Sequence, residues 1–454
     1  MLSSEDTIIA PATAVGIGAI AIIRISGPKA FEHLKSCFKP TRIGATLKSH
    51  VLTYGTIVNA RAIPIDHVMA VYMQAPASFT REDVVEIHCH SNTYVVRQIL
   101  ELFAAMGCRL AEAGEFTYRA FMHGRIDLAE AEAIAELIDA GSVASARVAM
   151  QHLEGSITAI ATQLHDQLLQ IAAQVEAYLD FPEDEVNYIH VNTLTSSVDS
   201  VIALLDPLLS TFYAGKVLRE GLSILILGEP NVGKSSLLNY LLGYDRAIVT
   251  DIPGTTRDFI EERITLGHLP VRLVDTAGLR KSKDIIEQTG VQRAKEKAKD
   301  VDLILYVVDG SQEQSSLKAA EGLFQAEIPV IVVVNKADKF TESKTGNFEF
   351  AQPFVCISAL TGFGIDALKQ AIEQEFSVPK ASNSSILTEK RHFDIFAQVK
   401  SELISFSQGL SAQLPGELLA CHIYTAMSAL GRITGETVPE DVLSQIFSKF
   451  CVGK

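Results

Sequence analysis

The sequence predicts a multidomain protein: an α+β N-terminal domain, an α-helical bundle domain, and a doubly wound α/β domain inserted into the bundle. Three observations carry that reading. A glycine loop lies between an apolar run, Ser223–Leu227, and a leucine-rich segment, Leu237–Leu242. Strand-like and helical stretches alternate from there to about residue 380, as a doubly wound sheet demands. Helical segments stand on both sides of that region, the pattern left by an insertion into one helical domain. The chain has 454 residues, 48 % of them apolar, enough for about three domains with substantial cores.

Residues 1–122 carry strand-like runs at Ala19–Ile25, Val51–Val58, His67–Tyr72 and Val84–His88, with a helical pattern at Val95–Met106. Gly16 to Ala21 superficially matches a dinucleotide fingerprint, but it precedes a strand rather than a helix, so that reading fails. His88 and His90 fall on one face of a strand; a metal site there lacks further ligands, and a packed or polar strand end is favoured. Residues 123–216 turn helical. Leu153, Ile157, Ile160, Leu164, Leu168, Ile171, Val175 and Tyr178 recur at steps of three and four, a single apolar stripe. It stops at the acidic, proline-broken stretch 180–185, and a further helix is expected over Thr193–Ala214. The α/β domain occupies 217–380. A small-polar linker, Ala381–Ser385, leads into helix from Thr388, so that 381–454 completes the bundle; Thr437-Val-Pro-Glu440 is expected to open the last helix with a capping box.

The chemistry sits at strand ends. Gly228-Glu-Pro-Asn-Val-Gly-Lys-Ser-Ser236 matches G-x-x-x-x-G-K-[ST] between strand and helix, the setting a P-loop requires. Backbone N–H groups of Asn231, Val232, Gly233, Lys234, Ser235 and Ser236 would hold phosphate oxygens. Lys234 would reach the β- and γ-phosphates, and Ser235 would ligate Mg²⁺. Asn335-Lys336-Ala337-Asp338 selects the base, because the Asp338 carboxylate can accept from both the ring N–H and the amine of guanine, whereas adenine would leave it unpaired. Ser358 and Ala359 would back the base. Asp275 and Gly278 form one γ-phosphate switch; Thr255 and Thr256 form the other, with Thr256 a second Mg²⁺ ligand. The inserted domain thus reads as a P-loop α/β GTPase.

The net charge of −15 and the lack of long basic runs argue against a strong non-specific RNA binder. Six cysteines without a C-x-x-C pair suit reduced thiols. The acidic N-terminus lacks the basic region of a signal peptide, and the uncharged stretch Thr7–Ile23 is too short to span a bilayer. A cytoplasmic protein without membrane contact is expected. The C-terminal Cys-Val-Gly-Lys is a poor prenylation box.

Gly114-Glu-Phe-Thr-Tyr-Arg-Ala-Phe121, followed by Gly124-Arg-Ile-Asp-Leu-Ala-Glu-Ala-Glu-Ala-Ile134, resembles the signature of the MnmE (TrmE) tRNA-modification GTPases. The match extends to Leu218–Gly221, the Gly-Thr-Thr-Arg-Asp switch, Asp275–Arg280 and the terminal Phe450–Lys454, and so covers the whole chain. The resemblance implies a homodimer that binds a tetrahydrofolate derivative (5,10-methylene or 5-formyl form) in its N-terminal domain. With an FAD-dependent MnmG (GidA)-type protein it would form a heterooligomer that attaches a carboxymethylaminomethyl or aminomethyl group at C5 of a tRNA wobble uridine. Folate contacts are implied at Arg24, Glu86, Arg125 and Lys454. Arg125 stands where lysine is usual, and His88-Cys89-His90-Ser91-Asn92 replaces a commonly glycine-rich segment. Cys451 near that site is either a chemical participant or a small apolar anchor.

Leu279 stands where Ras-like proteins place a water-orienting Gln. Glu287 and Asp284 are the nearby polar candidates, and the resemblance selects Glu287, acting through a second water. It also implies a K⁺ site built from Asn231, Thr250, Ile252 and Thr255, whose cation would neutralise developing charge as an arginine finger does. A regulatory GTPase of ribosome assembly shares Asn231 and the Gly-Thr-Thr switch, but the RNA-binding or second GTPase module expected of it is not visible.

Overall fold

The computed structural model describes residues 6–14, 16, 18–42, 46–180, 191–244, 262–267, 269–274, 301–311, 328–339, 353–376 and 385–453. The chain forms two compact units, one comprising Met1–Ala135, Leu153–Thr162 and Leu430–Lys454, the other Glu136–His152 and Gln163–Ala429.

The first unit is built on a seven-stranded sheet: β1 (Ile8–Pro11), β2 (Ile20–Ser26), β3 (Phe38–Pro40), β4 (Thr53–Val58), β5 (Pro64–Met73), β6 (Val84–His90) and β7 (Arg109–Leu110), in the order β3-β4-β5-β6-β2-β1-β7. Every pair is antiparallel except β1 with β7. The alternation expected of an antiparallel sheet with one covered face is plain. Ala21, Ile23, Ile25, Val68, Ala70, Tyr72, Val85, Ile87 and Cys89 are buried in a core with residues of the helices Ala30–Cys37 and Thr93–Ala105. Their neighbours Ile22, Arg24, Met69, Val71, Glu86 and His88 are only half-buried, on the opposite face. The four expected strands and the helix are present within a few residues; β1, β3, β7 and the helix Ala30–Cys37 were not anticipated.

The signature segment forms the helix Glu115–Met122, nearly all of it buried. Its two charges are structural. Glu115, fully buried, accepts from Arg109 and from the Glu112 N–H, and lies 3.0 Å from Arg119 Nη2. Arg119 also donates to Asp6 and to Glu82. Burial raises the Glu115 pKa, but the Arg109 and Arg119 guanidinium groups outweigh it and hold the carboxyl below its usual range. Tyr118, Phe121 and Leu128 pack with Phe447 and Phe450 of the C-terminal segment. The last helix, Glu440–Phe447, has Pro439 at its N-cap, where the anticipated capping box would place Thr437. Pro439 takes extended backbone at that position, which leaves Thr437 two residues outside the helix.

The second unit holds a six-stranded sheet, β8 (Leu222–Gly228), β9 (Glu262–Leu266), β10 (Leu269–Val274), β11 (Leu303–Asp309), β12 (Val330–Asn335) and β13 (Phe354–Cys356), ordered β13-β12-β11-β8-β10-β9. It is parallel except for the β9–β10 pair. Strands such as Val330–Asn335 are buried along their length, because apolar clusters cover both faces. The helices Val191–Ser210 and Lys390–Ser411 pack together through stripes that include Val198, Val201 and Leu205 and Ile395, Val399 and Leu403. The helix expected to run to Ala214 breaks at Thr211, whose N–H and hydroxyl both bond the Leu208 carbonyl; Phe212–Glu220 is a separate helix. The stretch Thr193–Glu220 is long and apolar enough to cross a membrane by length and composition alone. The long stripe helix runs over Ser156–Asp180, and the acidic stretch 181–185 lies outside the described residues.

Where the chain passes from helices to sheet and back, one polar cluster is buried. His152 Nδ1 lies 2.9 Å from Glu136 Oε2 and Nε2 lies 2.8 Å from the Ile386 carbonyl. Thr388 donates to the other Glu136 oxygen, and Arg219 pairs with Glu389. Burial raises the Glu136 pKa, but His152 and Thr388 outweigh it, and the carboxyl stays ionised below its usual range. Both ring nitrogens of His152 are thus held by oxygen partners, which fixes the ring in the neck between helices and sheet.

Candidate nucleotide and N-terminal sites

The P-loop connects β8 to the helix Lys234–Tyr244. It turns through left-handed conformations at Asn231 (φ 62°) and Gly233 (φ 101°), the first tolerable for Asn and the second natural for Gly. A Cβ at Gly233 would lie 2.1 Å from Asn335 Nδ2. The cradle is therefore closed against any side chain at that position. Lys234 Nζ donates to the carbonyls of Gly228 (2.7 Å) and Glu229 (2.6 Å). Burial lowers the pKa of its ammonium, and Glu229 offsets this in part. Phosphate oxygens delivered to the loop would favour the charged form, so the lysine fits an anionic ligand. Ser235 and Ser236 are exposed on the first helical turn, and Val232 is buried beneath the loop.

The base loops are tied to the P-loop by Asn335. Its amide donates to the Val232 carbonyl (2.8 Å) and accepts from the Ala359 N–H (3.0 Å). Asp338 accepts from the buried Ser358 hydroxyl through Oδ1 (2.6 Å). That bond fixes the carboxylate and leaves Oδ2 for a base edge. Lys336, at φ 68°, pairs with Asp309 at the end of β11 (2.6 Å). Burial raises the Asp309 pKa, but Lys336 and Ser311 more than offset it and the carboxyl lies below its usual range. Asp309 was not singled out from sequence; its signal was a lone carboxylate closing an apolar run, where Asp338 and Asp275 follow such runs as well. The residues Thr250, Ile252, Thr255, Thr256, Asp275, Gly278, Asp284 and Glu287 lie outside the described residues.

A second polar set lies on the half-open face of the N-terminal sheet. Arg24 and Glu86 are register partners on β2 and β6. The guanidinium donates to Glu86 Oε1 (2.9 Å from Nε) and to the Gly453 carbonyl (3.3 Å). It lies 6.0 Å from the Phe79 ring centre and 5.8 Å from that of the fully buried Phe116, within cation–π range. The tail reaches it because Val452 bridges Ala113 and the Cys451 carbonyl accepts from the Gly114 N–H (3.3 Å). Gly453, at φ 95°, has no room for a Cβ, which would meet the Pro11 carbonyl at 2.0 Å. Cys451 is exposed. Arg125 stands exposed in the turn after the signature helix, and Lys454 lies outside the described residues. Phe79, Phe116 and Gly453 were missed in the sequence, where nothing marks them as neighbours of Arg24. His90, on β6, pairs with Asp66 (2.8 Å) instead of converging with His88.

Residues 7–125 match the family profile of the GTP-binding protein TrmE N-terminus, and residues 128–451 match that of the MnmE helical domain. Among similar proteins, the tRNA modification GTPase MnmE of Syntrophotalea carbinolica is 45 % identical over 99 % of this chain and 100 % of its own. The chain belongs to the MnmE family of tRNA modification GTPases. Relatives of that name from Geotalea uraniireducens and Cytophaga hutchinsonii are 42 % and 39 % identical, each over 99 % of this chain and 99 % and 98 % of their own. Among solved structures, the G domain of the T. maritima FeoB iron transporter aligns with 34 % of this chain and 98 % of its own, at 28 % identity and a TM-score of 0.26. The helical profile of the MnmE family spans the strands β8–β13 from end to end. GTP hydrolysis of this kind is a Mg²⁺-dependent reaction.

Proposed function

We propose that the chain is the GTP-hydrolysing component of a complex that adds a carboxymethylaminomethyl or aminomethyl group at C5 of the tRNA wobble uridine. It acts in the cytoplasm as a homodimer with an FAD-dependent MnmG (GidA)-type protein. At the nucleotide, Lys234 exchanges the two loop carbonyls for phosphate oxygens, and Asp338, steadied by Ser358, accepts from guanine. Ser235 and Thr256 hold Mg²⁺, and Asn231, Thr250, Ile252 and Thr255 hold K⁺. Glu287 orients the attacking water. A one-carbon tetrahydrofolate in the N-terminal domain supplies the carbon that bridges to the uridine. The chain's own residues bind and orient it: Glu86 accepts from the pterin edge, Arg24 fixes Glu86, and Arg125 and Lys454 face the anionic tail.

The observation that carries the folate reading is Arg24, held at once by Glu86 and by the Gly453 carbonyl, two residues from Cys451. A chain terminus usually frays in solvent; this one is brought back against a charged pair on a half-open sheet face. Truncation after Phe450 keeps the aromatic core of Phe447 and Phe450 and removes Cys451–Lys454. Calorimetric titration of that truncated protein with 5-formyl-tetrahydrofolate should show no binding where the full chain binds. Undiminished affinity would remove the tail from the site.

A further inference from the structure

Next to the Arg24–Glu86 pair stands a residue to which no role has yet been given. His88 follows Glu86 by two positions on β6, so both side chains project from the same half-open face, and Ile22 and Met69 are its register partners on β2 and β5. Its Nε2 is buried and has no hydrogen-bond partner among the described residues. That nitrogen lies 3.7 Å from Glu86 Oε2, too far for a hydrogen bond. Glu86 spends its other oxygen, Oε1, on Arg24. Two polar atoms therefore stand 3.7 Å apart without bonding each other, a carboxylate oxygen that can only accept and an imidazole nitrogen, with apolar Ile22 and Met69 as the register partners of His88. Buried polar atoms are normally bonded, and an exception that stands beside a proposed ligand face is a candidate for a partner from outside the chain.

We infer that His88 is a binding residue for the heterocyclic ring of the ligand, bonding the atom adjacent to the one that Glu86 accepts from. This rests on the folate reading given above. The fit is chemical. The 2-amino-4-oxopyrimidine edge of a reduced pterin offers neighbouring polar atoms along one planar edge, so a single edge satisfies both Glu86 Oε2 and His88 Nε2. An anionic glutamate tail could not do so, since it would bring its carboxylate against that of Glu86. His88 thus reads the ring and not the tail.

The test uses the full-length protein and two probes, 5-formyl-tetrahydrofolate and a reduced pterin lacking the aminobenzoyl-glutamate tail, titrated by calorimetry. His88→Leu should weaken both by the same factor, about tenfold, equivalent to about 1.4 kcal/mol. His88→Gln, which keeps a polar group at that depth, should recover most of the loss for both. Thermal unfolding of each variant separates loss of a contact from loss of the fold. A loss confined to the tail-bearing ligand, equal losses in the Leu and Gln variants, or unchanged affinity in His88→Leu overturns the assignment. Glu86→Gln separates the two layers of the reading. If it abolishes binding while His88→Leu leaves it intact, only the role of His88 fails; if Glu86→Gln itself binds normally, the ligand does not use this face.

Discussion

The two sites of this chain are made of different material. The nucleotide site is built from backbone: a loop that passes through left-handed conformations at Asn231 and Gly233, cross-tied by the Asn335 amide to the Val232 carbonyl and the Ala359 N–H. The proposed N-terminal site would be built from side chains carried by separate strands, with Arg24 on β2, Glu86 and His88 on β6, and the Gly453 carbonyl of the C-terminal segment. A backbone cradle must be contiguous, because its donors are successive N–H groups. A side-chain site needs only register, which a separation of 62 positions between Arg24 and Glu86 does not reveal until the strands pair. One site is therefore defined by what may not be added to it, and the other by what may not be taken away.

The largest expected effect tests the first half of that contrast. Gly233→Ala would drive a methyl group into Asn335 Nδ2, 2.1 Å from the ideal Cβ, at a φ that side chains seldom adopt. GTP affinity should fall by at least about a hundredfold, the scale of roughly 3 kcal/mol of strain and lost contacts, as read by titration with a fluorescent GTP analogue. Near-normal affinity would mean that the loop can rebuild itself and that the cradle is not closed.

Glu115→Gln tests whether the scaffold beneath the second site depends on charge. The carboxylate is fully buried between Arg109 and Arg119, so its removal leaves the buried Arg119 with only Asp6 and Glu82 to compensate it, a loss of about 3 kcal/mol in denaturant unfolding. The sign with pH follows from its depressed pKa. A carboxyl whose folded pKa lies below its unfolded value contributes fully above about pH 5 and loses that contribution as pH falls below about 4 through the folded value. The gap between wild type and variant should therefore narrow in acid. A gap that stays constant down to pH 3 would make the network one of packing, not of charge.

The smallest expected effect sharpens the second half. Arg24→Lys keeps the charge but loses the planar fork that serves Glu86 and Gly453 together. Affinity for 5-formyl-tetrahydrofolate should drop about tenfold, about 1.4 kcal/mol, with little change in unfolding. A full loss would show that the guanidinium itself meets the ligand.

These differences explain what could be read in advance. The central strands of the GTPase sheet, such as Leu303–Asp309 and Val330–Asn335, announce themselves as nearly unbroken apolar runs because both faces are covered, and the loops that carry Lys234, Asn335 and Asp338 begin where such runs end. In the N-terminal unit, Arg24 and Glu86 were reached through the family resemblance alone, and Phe79 and Phe116 beneath the guanidinium were not reached at all. β1 has four residues and β7 two, too short for alternation to register. Glu115 and Arg119 carried the family signature, yet only the structure shows them to be a buried ionic scaffold. The last helix begins later than the Thr-x-x-Glu pattern suggests, since Pro439, not Thr437, takes the N-cap.

The buried Glu136–His152–Thr388 cluster marks the place where the ingoing helix Phe212–Glu220 and the outgoing segment around Leu387 meet. The two are pressed together there: the Leu387 N–H donates to Thr211 Oγ1, and a Cβ on Gly215 would sit 1.9 Å from the Leu387 carbonyl. To the helical bundle, everything between these points is a loop with its ends already pinned. The entropic cost of closing a loop grows only with the logarithm of its length, so a whole nucleotide-binding sheet is tolerated where a short turn would serve. The neck is not the whole attachment: Thr265 Oγ1 on the inserted sheet also reaches the carbonyl of Gly141 in the helical part, 3.5 Å away.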